Sequence, residues 1–292
     1  MDKHSLKDWL IAVRPWSFPA SAMPVIVTLA YLYWAYGVTN LQNGVLALVG
    51  IIIFHASGNA WSDYFDFKRG VDRTDTFGVK TLTSGQFVPV EIRNLALGLL
   101  LPAVAIGLWL VLRTGLPLLW IGVGGAVCSL GYPWLKYRAF GDAVIFVAYA
   151  ILPALGVSYV VMGEFVSDLL LIMVPVGLIT VAILHANNTR DIETDMRAEI
   201  STLAMKLGKK TDVYLYIFEI VFPLLWVVVC VVLGYFSYWS LLVMLGVLPA
   251  VANARAMWRL PKEGICAISN LDEKTAKLQL LFSLLFAVTF LI

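Results

Sequence analysis

Nine predominantly apolar runs recur along the 292 residues, at roughly 17–37, 42–62, 91–112, 115–133, 141–162, 168–188, 213–235, 238–258 and 275–292. Each is long enough, as a helix, to cross about 30 Å of hydrocarbon. A chain with that repeat has little choice of fold. It is 60% hydrophobic and 14% charged, whereas soluble domains sit near half apolar and a quarter charged. In lipid every backbone polar group needs an internal partner, which runs of this length find as helices. The sequence therefore predicts an all-α membrane protein, a bundle of nine transmembrane helices. Residues 1–292 read as a single domain, because no polar linker is long enough to separate two units.

Nine crossings place the termini on opposite sides. With the N-terminus cytoplasmic, the inner segments are 1–16, 63–90, 134–140, 189–212 and 259–274. Of the 21 Lys and Arg residues, Arg113 alone then falls on the outer side, which favours this orientation under the positive-inside rule. The start, MDKHSLKDWLIAVRPW, lacks the short apolar stretch and small-residue cleavage site of a removable signal peptide. Cys128, Cys230 and Cys266 are isolated and offer neither a disulfide framework nor a CxxC metal site. The expected location is the cell (inner) membrane, with the charged face toward the cytoplasm, where anionic headgroups or a phosphorylated substrate would be met. A nucleic-acid partner does not suit a chain so deeply embedded.

Charge gathers at the ends of two apolar segments. The second ends in NAWSDYFDFKRGVDRTD (59–75), and the sixth in NNTRDIETD (187–195). Both carry Asn-x-x-x-Asp: Asn59 with Asp63, and Asn187 with Asp191. The duplication reads as a degenerate internal repeat in which these two helices occupy corresponding places in two halves. On a helix, Asn59, Asp63 and Asp66 share one face, and Asn187, Asp191 and Asp195 nearly do so. Carboxylates and amide oxygens in such a stripe suit a hard cation, and Mg²⁺ typically takes one or two carboxylates together with phosphate oxygens. Lys68, Arg69, Arg73 and Lys80 accompany the first cluster, and Arg190, Arg197 and Lys206 the second. A diphosphate held through Mg²⁺ requires both signs of charge. The plainer account is that each cluster is a solvated helix end; the duplicated spacing and the accompanying cations weigh against it for the set.

At these residues the sequence resembles the UbiA superfamily of intramembrane polyprenyltransferases, and within it the 1,4-dihydroxy-2-naphthoate polyprenyltransferases of menaquinone synthesis. Five stretches carry the resemblance: RPWSFPASAMPV (14–25), SDYFDFKRGVD (62–72), TLTSGQ (81–86), YPWLKYRAFGD (132–142), and NNTRDIETD followed by STLAMKLG (187–208). The chain departs from the naphthoate enzymes in having Ser62 before Asp63, and Glu199-Ile200 in place of a more usual Gly-Lys. The resemblance implies a nine-helix bundle in which Asn59, Asp63, Asp66, Asp191 and Asp195 hold Mg²⁺ against the diphosphate of an allylic polyprenyl donor, with Asn187 at the substrate. It further implies that Arg14, Arg69, Lys80 and Lys136 neutralise diphosphate oxygens, and that Tyr132 shares the helical face of Lys136. An aromatic acceptor would attack the allylic carbocation, with loss of CO₂ in the naphthoate case. Other acceptors in the superfamily are 4-hydroxybenzoate, homogentisate, chlorophyllide, haem and a glycerol-phosphate lipid.

Several polar residues carry a weaker expectation. His55 and His185 read as packed or hydrogen-bonded rather than catalytic. Glu219, inside an apolar run, is a functional candidate without a visible partner. Asp142 reads as a helix-start carboxylate. Asp72 and Asp75 reach the metal face if the loop folds back. Trp34, Trp61, Trp120 and Trp239 read as interfacial anchors, and Gly115, Gly122, Gly124, Gly125 and Gly131 as packing positions. A secondary transporter is the rival class, but its polar residues belong near the bilayer midplane on broken helices.

Overall fold

The computed structural model describes residues 4–37, 40–74 and 76–292. Among them helices dominate and no strand forms; an isolated bridge joins Arg138 and Ser201. The chain opens with α1 (Leu6–Val13), whose start is fixed by a capping box: Asp8 N–H donates to Ser5 Oγ, and Ser5 N–H to Asp8 Oδ2. Pro15 disfavours helical backbone at the residue before it. The helix accordingly stops at Val13; Arg14 takes the left-handed φ 55°, ψ 62°, and a 3₁₀ turn at Pro15–Ser17 follows. The chain bends by 53° into α2 (Pro19–Tyr36). The expected first span at 17–37 thus has a short helix ahead of it, angled away from its axis.

Next come α3 (Leu41–Lys68), α4 (Pro89–Thr114), α5 (Pro117–Lys136), α6 (Gly141–Phe146) and α7 (Leu152–Met162). A π-helical turn at Val147–Ile151 joins the last two into the expected span at 141–162. Then follow α8 (Leu169–Arg190), the short α9 (Ile192–Arg197) and α10 (Leu203–Val232). α10 starts ten residues before the expected 213, with non-helical backbone at Gly208, φ 73°. The expected helix at 238–258 instead begins as 3₁₀ over Tyr238–Gly246 and continues as α11 (Val247–Glu263); α12 (Leu271–Thr289) ends the series.

Among the described residues six helices, or seven if the bent pair counts as one, are long and apolar enough to cross a membrane. Pro117–Tyr132 is a shorter apolar helix, and α12 carries Asp272, Glu273, Lys274 and Lys277 in its first two turns. α8 is central: 67% of its most apolar window is buried, against 17% for α4. Ile172, Met173, Val176, Ile179, Ala182 and Ala186 of α8 all belong to the main core. Its Gly177 lets α6 and the π turn approach closely, since a Cβ there would fall 2.6 Å from Phe146 Cε2 and 2.8 Å from Ala150 Cβ. On the outside, Leu112, Val232 and Leu248 are about four-fifths exposed (81%, 79% and 81%), an arrangement that a lipid surround favours. A second, smaller core of Ala12, Ala60, Leu82, Phe87, Ile92 and Ala96 packs α1 and the 69–88 loop over the ends of α3 and α4.

Candidate active site

The C-terminal end of α3 presents Asn59, Asp63 and Asp66 as a stripe, because residues four and seven apart share a helical face. Asp63 and Asp66 are buried. The bend after α1 brings Arg14 onto Asp63 as an ion pair through Nη2 and Oδ1. The same bend fixes Asn59, whose Nδ2 donates to Val13 O at 2.9 Å and to Ser17 Oγ at 3.0 Å. Asp66 is the more heavily contacted carboxylate. It accepts from Tyr137 Oη at 2.9 Å and Ser62 Oγ at 3.2 Å, with Lys136 Nζ 3.9 Å from Oδ2.

Beyond α3 the loop does fold back. Gly70 adopts φ 71°, the left-handed backbone that favours glycine past a helix end. Val71 and Asp72 N–H then both donate to Asp66 O, at 2.8 and 3.2 Å. Asp72 thereby comes within electrostatic reach of Asp63 and Asp66, and burial pushes its carboxyl upward despite Arg14 and Lys136. Asp75 lies outside the described residues. Lys80 is spent on the loop itself: its Nζ donates to Arg73 O at 2.8 Å and to Thr76 O. The Arg69 guanidinium lies over the rings of Tyr137 and Trp134, at 5.0 and 5.9 Å.

The second motif departs from a continuous stripe. α8 gives way at Asp191 (φ −94°, ψ 9°) before α9 resumes, though Asp195 N–H still donates to Asp191 O at 2.8 Å. Arg190 gathers this end of α8. Its Nε and Nη2 donate to the two oxygens of Asp191 at 2.9 and 3.0 Å, Nη2 also reaches Asn187 Oδ1, and Nη1 donates to Asp272 Oδ2 of α12 at 2.7 Å. Phe77 of the first loop lies under the guanidinium at 4.6 Å. Asp195 is buried, which pushes its carboxyl up to about 6 against the pull of Lys136.

Lys136 at the end of α5 joins the two halves. It pairs with Asp66 from α3 and acts electrostatically on Asp195 from α9. Ser201 N–H donates to Tyr137 O at 3.2 Å, tying the turn after α5 to the approach to α10. Tyr132, one turn before Lys136, feels Asp66, Asp142 and Asp195 as well. The donors assembled here are carboxylates, hydroxyls and amides that repel or share cations, the oxygen-rich chemistry a hard divalent ion suits. Asp63 is repelled by Asp66 and Asp72, and Asp195 by Asp66 and Asp191, charge that such an ion would offset. Among the described residues, no three His, Cys, Asp or Glu side chains already converge on one metal-sized point.

Sequence reasoning missed Tyr137 as a partner of Asp66, Asp272 as a partner of Arg190 and Asp212 as a partner of Thr189. Tyr137 directly follows Lys136 and was open to discovery as a second phenol beside Tyr132. Asp272 was hidden because its contact with Arg190 spans 82 residues. Asp142 lies in the first turn of α6 as expected, but its Oδ2 is buried with no hydrogen-bond partner among the described residues.

A profile of the UbiA prenyltransferase family matches residues 22–269. The chain is 30% identical over 290 residues to UbiA prenyltransferase domain-containing protein 1 of Mus musculus, covering 97% of this chain and 84% of that protein. Its counterpart in Gallus gallus is 32% identical over 286 residues, covering 95% and 83%. Among solved structures, a UbiA homologue from Archaeoglobus fulgidus bound to GPP and Mg²⁺ superposes with TM-score 0.65 at 14% identity, over 98% of this chain and all (100%) of that one. A digeranylgeranylglyceryl phosphate synthase superposes with TM-score 0.64 at 21% identity, over 98% of each. At these identities the structural likeness establishes the fold.

Proposed function

The chain belongs to the UbiA prenyltransferase family, and from that premise we propose that it transfers a polyprenyl chain from an allylic polyprenyl diphosphate to an aromatic acceptor. The observation that carries the reading is Lys136, a half-buried cation that pairs with Asp66 of the first motif and acts electrostatically on Asp195 of the second. Mg²⁺ held by Asn59, Asp63, Asp66, Asp191 and Asp195 would supply Lewis-acid charge to the diphosphate as the allylic C–O bond breaks.

The chain's own residues do the rest. Lys136 and Arg14 present charge to the leaving diphosphate, and preplaced cations favour the extra negative charge it gains as the C–O bond breaks over the charge it carries in the ground state. Arg69 and Lys80 stand one layer further out, Arg69 stacked on Tyr137 and Lys80 bracing its loop. Arg190 holds Asn187 and Asp191 in register for the second half of the site. Tyr132 and Tyr137 line the mouth beside Lys136, where aromatic faces favour the allylic cation. In the bond change, the C–O electron pair leaves with diphosphate and the acceptor ring carbon forms the new C–C bond. That carbon then loses H⁺, or CO₂ where it carries a carboxylate.

We place 1,4-dihydroxy-2-naphthoate first among acceptors, on the resemblance at 62–72 and 187–208; loss of CO₂ would then feed menaquinone synthesis. The proposed setting is the cell membrane, with all nine segments crossing, the N-terminus cytoplasmic and the site open to the cytoplasm. The deciding experiment is a membrane assay with that naphthoate, 4-hydroxybenzoate, homogentisate and a glycerol-phosphate lipid, a mixture of polyprenyl diphosphates, and EDTA as the control. A metal-dependent, decarboxylated prenyl-naphthoquinol is expected. Product with another acceptor alone moves the acceptor and keeps the reaction, whereas no product with any of them rejects the reading.

A further inference from the structure

A buried cluster of ionisable side chains lies off the diphosphate site. His185 of α8 has a carboxylate at each ring nitrogen: Glu219 Oε2 at 2.8 Å from Nδ1 and Asp212 Oδ1 at 2.9 Å from Nε2, both from α10. All three side chains are buried. A ring nitrogen facing a carboxylate oxygen is satisfied when it carries the proton, so the geometry suits an imidazolium between two carboxylates. Asp212 and Glu219 are seven residues apart on α10, one face of that helix. Asp142 of α6 acts electrostatically on both His185 and Glu219, and the Tyr216 ring stands edge-on at 5.9 Å. The other oxygen of Asp212 lies 2.9 Å from Thr189 Oγ1, one turn further along α8; the single proton of that hydroxyl is shared between the carboxylate and His185 O at 2.8 Å.

Thr189 is followed at once by Arg190 and Asp191, where regular helix gives way. The Thr189 hydroxyl, inside the second motif between Asn187 and Asp191, thus meets a carboxylate of α10 just ahead of that break. We infer that His185 and Thr189, through Asp212 and Glu219, are positioning residues that set where Asp191 and Asp195 stand relative to Asp63 and Asp66. This rests on the donor-site reading above and deepens it: the network governs affinity for Mg²⁺ and diphosphate, and leaves the acceptor alone. A buried ion pair of this kind is poor evidence for added stability, but groups behind metal ligands tune the affinity of a site strongly.

The test uses the full chain in lipid nanodiscs and the hydrolysis-resistant probe geranyl thiolodiphosphate, titrated with Mg²⁺, with thermal unfolding followed in parallel. Thr189→Val keeps the packing and deletes the hydroxyl, whereas Thr189→Ser keeps the hydroxyl and deletes a methyl. The Mg²⁺ concentration for half-maximal probe binding should rise about tenfold in T189V, by the usual cost of losing a group behind metal ligands, and stay near wild type in T189S. His185→Gln should shift it in the same direction as T189V and further. The opposite order, T189S impaired and T189V normal, would mean the position serves packing and would overturn the inference, as would unchanged binding in folded H185Q. Absence of Mg²⁺-dependent probe binding in the wild type would bring down the donor-site reading and this inference together, so the two failures are told apart by the wild-type control.

Discussion

Replacing Lys136 by Met removes the cation that the two aspartate motifs share, while keeping an unbranched chain of similar length. Its Nζ is 3.9 Å from Asp66 Oδ2, with the side chains 15% and 12% exposed. At that separation and an effective dielectric near 20, the attraction is about 4 kcal/mol. Part of this is offset by the cost of burying the charges, and truncating one member of a buried pair typically costs about 3–5 kcal/mol because the other is left uncompensated. In the ligand-free protein the loss should therefore appear as a clear drop in thermal stability, with Asp66 and Asp195 repelling each other unscreened. In turnover Lys136 meets charge that grows only as the C–O bond breaks, so kcat should fall by about 10²–10³. Lys136→Arg, which keeps the charge in a different shape, should recover part of it. The assay is steady-state prenyl transfer at saturating Mg²⁺ and donor, beside unfolding in nanodiscs. A K136M enzyme whose kcat stays within about threefold of wild type would refute the argument, since one preplaced donor is ordinarily worth far more.

Three further outcomes follow from other parts of the molecule. Asp195→Asn keeps the side-chain shape and deletes its charge; it should cost on the order of a hundredfold in kcat/KM, about 2.7 kcal/mol, partly recovered by raising Mg²⁺, as a titration of rate against Mg²⁺ would show. Glu199 holds φ 57°, so Glu199→Gly should relieve left-handed strain of about 1–2 kcal/mol against an unfolded-chain entropy cost of about 0.4–1 kcal/mol, a small net gain readable as a higher unfolding temperature. Gly177→Ala would set a methyl 2.6 Å from the Phe146 ring. That overpacking should destabilise by about 1–3 kcal/mol, measured by the same melt.

The sequence revealed the apolar segments and both charged helix ends, because a 20-residue apolar run and a four-residue polar spacing are local patterns that survive in one dimension. It was blind wherever a helix end was remodelled by its neighbours. The helix stop at Arg14 is hinted at by Pro15, yet nothing local says that its guanidinium meets Asp63, 49 residues on. Glu219 had no visible partner because His185 lies 34 residues away on another helix. Lys80 looked free to meet a phosphate, since capture of loop carbonyls by an ammonium leaves no composition signal. The interruption at Asp191 also escaped the helical periodicity, which assumes the stripe runs on unbroken. The departure at Glu199 is the reverse case: a sequence difference whose physical meaning, a side chain in backbone that suits glycine, emerged with the fold.

The measurement closest to the central claim is a structure of the chain in nanodiscs with Mn²⁺ in place of Mg²⁺ and geranyl thiolodiphosphate, with the metal located by its anomalous or density signal. The account predicts metal and diphosphate between the Asp63–Asp66 face and Asp191–Asp195, with Lys136 and Arg14 turned onto phosphate oxygens. Metal and diphosphate bound elsewhere in the bundle, with Lys136 still on Asp66, would contradict it.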